Sequence, residues 1–138
     1  MAVQAKLPRW PRGTVAILVT GGGHPHAIPV STAVRAGDDR VLLALARTRG
    51  SLRRLREDPR VTLAVCAAGV AFSADGRATV VDEALTERVV AVAVEVEQVH
   101  DHLRPTFALE GGVSWRWTDA DAEDADDAVH AALRRLAD

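Results

Sequence analysis

The 138-residue chain carries 17 basic and 19 acidic residues, a formal net charge of −2, and 48% hydrophobic residues. That balance argues against a dedicated nucleic-acid binder, which is usually strongly basic, and suits a single globular domain with one real core. A single cysteine, Cys66, excludes an internal disulfide framework and a cysteine-rich zinc site. No apolar stretch is long enough to span a membrane, and the N-terminus lacks the apolar core of a signal peptide, so the expected location is cytoplasmic.

In chain order, residues 1–12 hold Pro8, Trp10 and Pro11 and read as a loose or short helical lead-in, with Trp10 as a packing anchor. Val15–Thr20 reads as a strand. The Gly21–Pro25 turn folds the next run, Ala27–Ala36, back on it as a hairpin. Pro29 lies inside that run and cannot donate to a ladder, which predicts a bulge or a sheet edge. After the Gly37–Asp39 turn, Arg40–Ala46 is a third strand, and three successive strands predict a meander. Val61–Ala67 is a fourth strand. Val70–Ala74 and Arg77–Val81 are strand material around Asp75-Gly76, and Glu83–Arg88 reads as a helical turn.

Val90, Val92, Val94 and Val96 share one parity, with Glu95 and Glu97 on the other. This alternation of β-branched and charged residues predicts a long half-buried strand over Val89–Val99. His100–Gly112 is a connection. Val113–Thr118 reads as a last strand with Trp115 and Trp117 on one face. The acid-rich run Asp119–Asp127 leads into a helix over Ala128–Ala137, striped by Val129, Ala132, Leu133 and Leu136. The expected organisation is a lead-in (1–12), an antiparallel barrel (13–118) and an acidic-start C-terminal helix (119–138).

The stretch Arg47–Arg60 stands apart. It holds six arginines against Glu57 and Asp58, directly after the apolar strand Val41–Ala46. Ser51 reads as an N-cap, Leu52 and Leu55 as the inward side of a short helix, and Asp58-Pro59 as its stop. A strand end, a helix start with free amides and flanking guanidinium groups together suit a phosphate. A solvated basic helix face is the competing reading.

Elsewhere the chemistry is sparse. His24 and His26 flank Pro25 in a glycine turn, and His100 and His102 share the same spacing. Neither pair has a third ligand at metal-binding spacing, so no metal site is assigned. No nucleophile elbow, Walker, dinucleotide-binding or zinc-protease pattern occurs. The only lysine is Lys6 and there is no tyrosine, which argues against lysine Schiff-base and phenol chemistry.

The succession PHAIPVST, a strand ending in LART, then RGSLRRLREDPRVTLAV, then DGRATVV resembles the split-barrel proteins related to pyridoxamine 5′-phosphate oxidase, over roughly residues 13–100. The resemblance implies a mainly β, homodimeric antiparallel split β-barrel with peripheral helices and two cofactor sites at the subunit interface. It implies FMN as cofactor, with an 8-hydroxy-5-deazaflavin coenzyme as the alternative and haem in some relatives. The flavin ring would lie along Pro29, Val30, Ser31 and Thr32. The phosphate would be held by Arg47, Thr48, Ser51, Leu52 and Arg53. Phe72 and Ser73 would approach the ring from the partner chain. Leu52-Arg53 stands where the oxidase has an Arg-Lys pair, and the oxidase's substrate-binding C-terminal segment has no counterpart in SWRWTD and the acidic run. The implied activity is that of a flavin-dependent oxidoreductase acting on a small molecule other than pyridoxamine phosphate, the alternative being a flavin or haem carrier without turnover. A barrel that binds nucleic acid would need an aromatic stacking surface, which two phenylalanines and no tyrosine do not supply.

Overall fold

The structure is a computed structural model and describes residues 6–138; residues 1–5 of the lead-in expected over 1–12 lie outside the described residues. Seven strands and two helices follow in the order β1 (Ala16–Thr20), β2 (His26–Val30), β3 (Val34–Arg35), β4 (Arg40–Ala46), α1 (Gly50–Glu57), β5 (Arg60–Ala67), β6 (Val70–Asp82), β7 (Val89–Asp101) and α2 (Ala120–Ala137). The strands form one antiparallel sheet ordered β2-β1-β5-β6-β7-β4-β3, curled into a split barrel. Among the described residues, no helix is long and apolar enough to cross a membrane.

The hairpin forms as expected, with Ala16 opposite Val30 and Thr20 opposite His26. Pro29 faces Ile17 on β2, which lies at the sheet edge where a missing donor costs no ladder bond. The expected meander does not form. The run Ala27–Ala36 breaks at Ser31–Ala33, β3 pairs β4, and β4 pairs β7 far along the chain. Thr32 accounts for the break: its hydroxyl donates to the Ala44 carbonyl at 3.1 Å and accepts from the Ala44 amide at 3.0 Å. A side chain thus takes the place of a ladder rung.

β7 follows its predicted alternation. Val90, Val92, Val94 and Val96 enter the main core with Leu18, Leu43, Leu63 and Phe72. On the other face Ala91 and Ala93 join Val34, Leu42, Val129 and Leu133 beneath α2, while Glu95 and Glu97 stay exposed. The small alanines admit the helix where valines would hold it off.

The two expected strand pieces around Asp75-Gly76 are one strand, β6, with a register shift against β7 at that point. A Cβ on Gly76 would collide with the Glu95 carbonyl oxygen. Gly76→Ala is therefore expected to lower stability by roughly 1–3 kcal/mol, because β7 backbone must move. Urea denaturation reads this as a lower midpoint at unchanged slope; an unchanged midpoint would show that the ladder yields freely.

Three further expectations are corrected. Residues 83–88 form turns and bends, not a helical turn. Val113–Thr118 is not a strand: it pairs with neither edge of the sheet, and the segment is instead tied to the residues before β1 by the Trp115 Nε1–H bond to the Gly13 carbonyl at 2.8 Å. Its two tryptophans do meet, edge to face, with centroids 5.2 Å apart. Finally, the acidic run belongs to α2. The helix starts at Ala120 behind Asp119, whose side chain accepts from the Asp121 amide, so the acids occupy the positive end of the dipole.

Candidate cofactor site

β4 delivers its apolar residues to the core and then reaches water at Arg47, where the chain turns into α1. Leu52 and Leu55 fix α1 on the barrel, and Asp58 ends it before Pro59. Ser51 is not the N-cap. Arg49 occupies that position without a side-chain cap bond, and Ser51 lies inside the first turn, 1% exposed, its hydroxyl without a partner.

At this junction lies a basin of about 450 Å³ walled by Arg47, Thr48, Arg49, Gly50, Leu52, Arg53, Arg56 and Glu57. Five of these eight are on or beside the helix start, where free amides favour an anion. The six arginines of the stretch play different parts. Arg56 makes a bidentate pair with Glu83 at 2.7 and 2.9 Å, and Arg60 grips Asp58 at 2.8 Å. Arg54 donates to the His24 carbonyl. Arg47 donates to the carbonyls of Glu87 and Thr86, at 3.0 and 3.3 Å. Arg53 approaches only Glu57, at 3.9 Å and largely exposed. The Arg49 side chain has no hydrogen bond or ion pair among the described residues. Arg49, without a partner among the described residues, and Arg53, with only a loose and exposed one in Glu57, are thus the guanidinium groups open to a ligand, and the other four are held by the protein's own acceptors.

Asp58 shows the bracing. The guanidinium of Arg60, helped by the Arg60 amide, lowers its carboxyl from 3.8 to about 2. A carboxylate whose pKa falls on folding stabilises above its unfolded pKa, and that stabilisation fades as pH drops through the folded value. Asp58→Asn is expected to fall below wild type in urea denaturation above about pH 4, with the gap closing as pH falls toward about 2. A gap independent of pH would assign the effect to the helix stop and not to the charge.

Beside the basin runs a wider groove of about 640 Å³. Ser31, Thr32 and Ala44 form its floor, residues 86–89 one side, and Trp117 with Ala122, Ala125 and Val129 of α2 the other. The two spaces share a wall: Arg47 lines the basin, and the carbonyls it holds belong to residues 86–87 of the groove.

The residues singled out in the sequence divide accordingly. Arg47, Thr48, Leu52 and Arg53 line the basin, with Ser51 buried beneath it. Ser31 and Thr32 line the groove, although the Thr32 hydroxyl is spent on Ala44. Pro29 is exposed on the edge strand, and Val30 is in the core. Phe72 is 1% exposed and packs against Trp10, with ring centroids 5.6 Å apart. Ser73 lies on the outer face, its hydroxyl 2.9 Å from His102 Nε2, while His100 Nε2 meets Asp75 at 3.0 Å. Thr62 above all, then His100, lowers the Asp75 pKa against the opposing effect of burial. Sequence reasoning missed Ala44, Thr86–Val89, Trp117 and the alanines of α2. Only the tryptophan carried a signal, as a large apolar residue in an exposed, polar segment.

The family model described as pyridoxamine 5′-phosphate oxidase matches residues 2–113. No curated protein matches the sequence. Among solved structures, HupZ of Group A Streptococcus is 10% identical, with a TM-score of 0.57 over 72% of this chain and 90% of its own. An F420 reductase is 14% identical, with a TM-score of 0.56 over 64% and 90% of the two chains. The flavin reductase component of a bacterial two-component tryptophan halogenase is 12% identical, with a TM-score of 0.56 over 67% and 81%. At these identities the likeness is one of fold. Trp117 and α2 lie beyond the stretch that the family model matches.

Proposed function

This chain belongs to the pyridoxamine 5′-phosphate oxidase family, and from that premise we propose that it is a flavin-binding oxidoreductase, working as a homodimer on a small molecule with FMN as its cofactor. The observation that carries the reading is the pair of exposed guanidinium groups, Arg49 without a partner among the described residues and Arg53 only loosely paired with Glu57, at a helix start that adjoins a long, largely apolar groove. An anionic tail and a flat ring need such a combination.

The donor set fits the cofactor. Arg49, Arg53 and the first amides of α1 would take the phosphate. Ser31 and Ala44 would lie along the ring, with Trp117 against its edge or face. Arg47 holds residues 86–87 as the wall between the two parts. A bound flavin supplies hydride transfer at its ring, and the chain supplies orientation, charge and exclusion of water. In the proposed dimer Ser73, and not the core-buried Phe72, carries the side-chain contact from the partner subunit.

The family's fold neighbours include an F420 reductase and a flavin reductase, so a deazaflavin reductase is the second reading. Titrating the apoprotein with FMN and with the 8-hydroxy-5-deazaflavin coenzyme in parallel tests both. Saturable binding of FMN, with NAD(P)H-dependent reduction of the bound form, is the expected result. Saturation by the deazaflavin alone would transfer the site to that cofactor, and saturation by neither would end the proposal. Binding without turnover would make the protein a carrier.

A further inference from the structure

A further cavity adjoins the groove at Asp126, between the N-terminal segment, the β2–β3 connection and α2, and shares none of the groove's lining residues. It measures about 140 Å³ and is lined by Arg9, Trp10, Arg12, Ala33, Val34, Arg35, His130 and Arg134. Four guanidinium groups from three separate parts of the chain converge on a space that admits one small ion and no nucleotide.

Two of the four are already held. Arg12 pairs with Asp127 and lies 3.7 Å from Asp126. Arg35 pairs with Asp38 at 2.6 Å and donates to the Leu7 carbonyl at 3.1 Å. These carboxylates hold the two arginines in place. Arg9 and Arg134 have no hydrogen bond or ion pair among the described residues, so the three acids leave one positive charge over.

His130 supplies the second observation. It is 1% exposed, and its Nδ1 has no hydrogen-bond partner; the only other such buried side-chain atom among the described residues is the Ser51 hydroxyl. His130 Nε2 lies 3.6 Å from Asp126, beyond hydrogen-bond range. Burial pushes the imidazole below the usual histidine range, Asp126 opposes this, and Arg12 and Arg134 add to it. A buried polar atom without a partner is costly, and native proteins rarely keep one without a use.

We propose that this cavity is a binding site for a phosphate-sized oxyanion, held by Arg9 and Arg134, steadied by Arg12 and Arg35, with His130 in its wall. Bound there, the ion joins the N-terminal segment to α2 and offsets the surplus positive charge between them. It is independent of the flavin basin, which shares none of its residues.

The test uses the full chain with Arg49→Ala and Arg53→Ala, so that the basin cannot contribute. Inorganic phosphate is titrated calorimetrically at constant ionic strength in chloride, and the histidine ring resonances are followed by ¹⁵N NMR. The expected result is saturable binding of phosphate with a shift of the His130 signal. Adding Arg9→Ala and Arg134→Ala, both at exposed positions, should weaken that binding at least about tenfold, as loss of charge-assisted bonds requires, and abolish the His130 shift. Absence of saturable binding would overturn the site. So would binding that survives the loss of Arg9 and Arg134, or a response that chloride reproduces.

Discussion

Replacing Arg49 and Arg53 together by alanine is expected to weaken FMN binding by roughly 1–3 kcal/mol for each residue, or about 5- to 150-fold apiece. Both side chains are exposed, and neither closes a hydrogen bond that the fold needs. The apoprotein's melting temperature should therefore stay within the small range typical of surface substitutions. Arg56→Ala is the control. Its guanidinium already serves Glu83 in a bidentate pair, so its removal should cost binding much less. Arg47→Ala should weaken binding by a different route, because it frees the carbonyls of residues 86–87 and loosens the wall between basin and groove. Flavin fluorescence titration measures all three variants against wild type. Equal affinities in wild type and the Arg49/Arg53 variant would remove the phosphate assignment.

Phe72→Ala is expected to cost roughly 3–5 kcal/mol of folding stability, the usual range for a buried aromatic ring. Phe72 is almost fully enclosed, stacks near Trp10, and sits among residues drawn from both halves of the sheet. Its removal leaves a cavity where the lead-in is anchored. Urea denaturation should show the loss directly. Affinity for FMN, corrected for the folded fraction, should change little, since the ring lies inside the barrel. A variant of full stability but weak flavin binding would place Phe72 at the cofactor after all.

These two residues illustrate how much the sequence shows. The Arg47–Arg60 stretch is legible because its charge density, its leucine spacing and its proline stop are all local. Which of its arginines are free is not legible. That depends on Glu83, on the His24 carbonyl and on the loop at 86–87, each brought near by strand pairing across the fold. Phe72 shows the same limit in reverse. A family resemblance locates the strand beside the cofactor, but the parity of β6 sends this ring inward and Ser73 outward.

Strands behave likewise. β7 announces itself through alternating valines, yet nothing local says that its neighbours are β6 and β4. The expected meander does not form because β4 pairs with β7 across the fold and not with the hairpin that precedes it in sequence. The segment Val113–Thr118 has a strand's composition, yet its tryptophans find partners in Gly13, in each other and in the groove instead of a ladder. The groove depended on two such unreadable events, the docking of α2 on Ala91 and Ala93 and the placing of Trp117.

The most direct measurement is a crystal structure grown with saturating FMN. The cofactor phosphate should lie within hydrogen-bond distance of the Arg49 and Arg53 guanidinium groups at the start of α1, with the ring in the groove beside Ser31, Ala44 and Trp117. An empty basin under saturating FMN, or Arg49 and Arg53 both hydrogen-bonded to the protein's own carboxylates in that crystal, would contradict it.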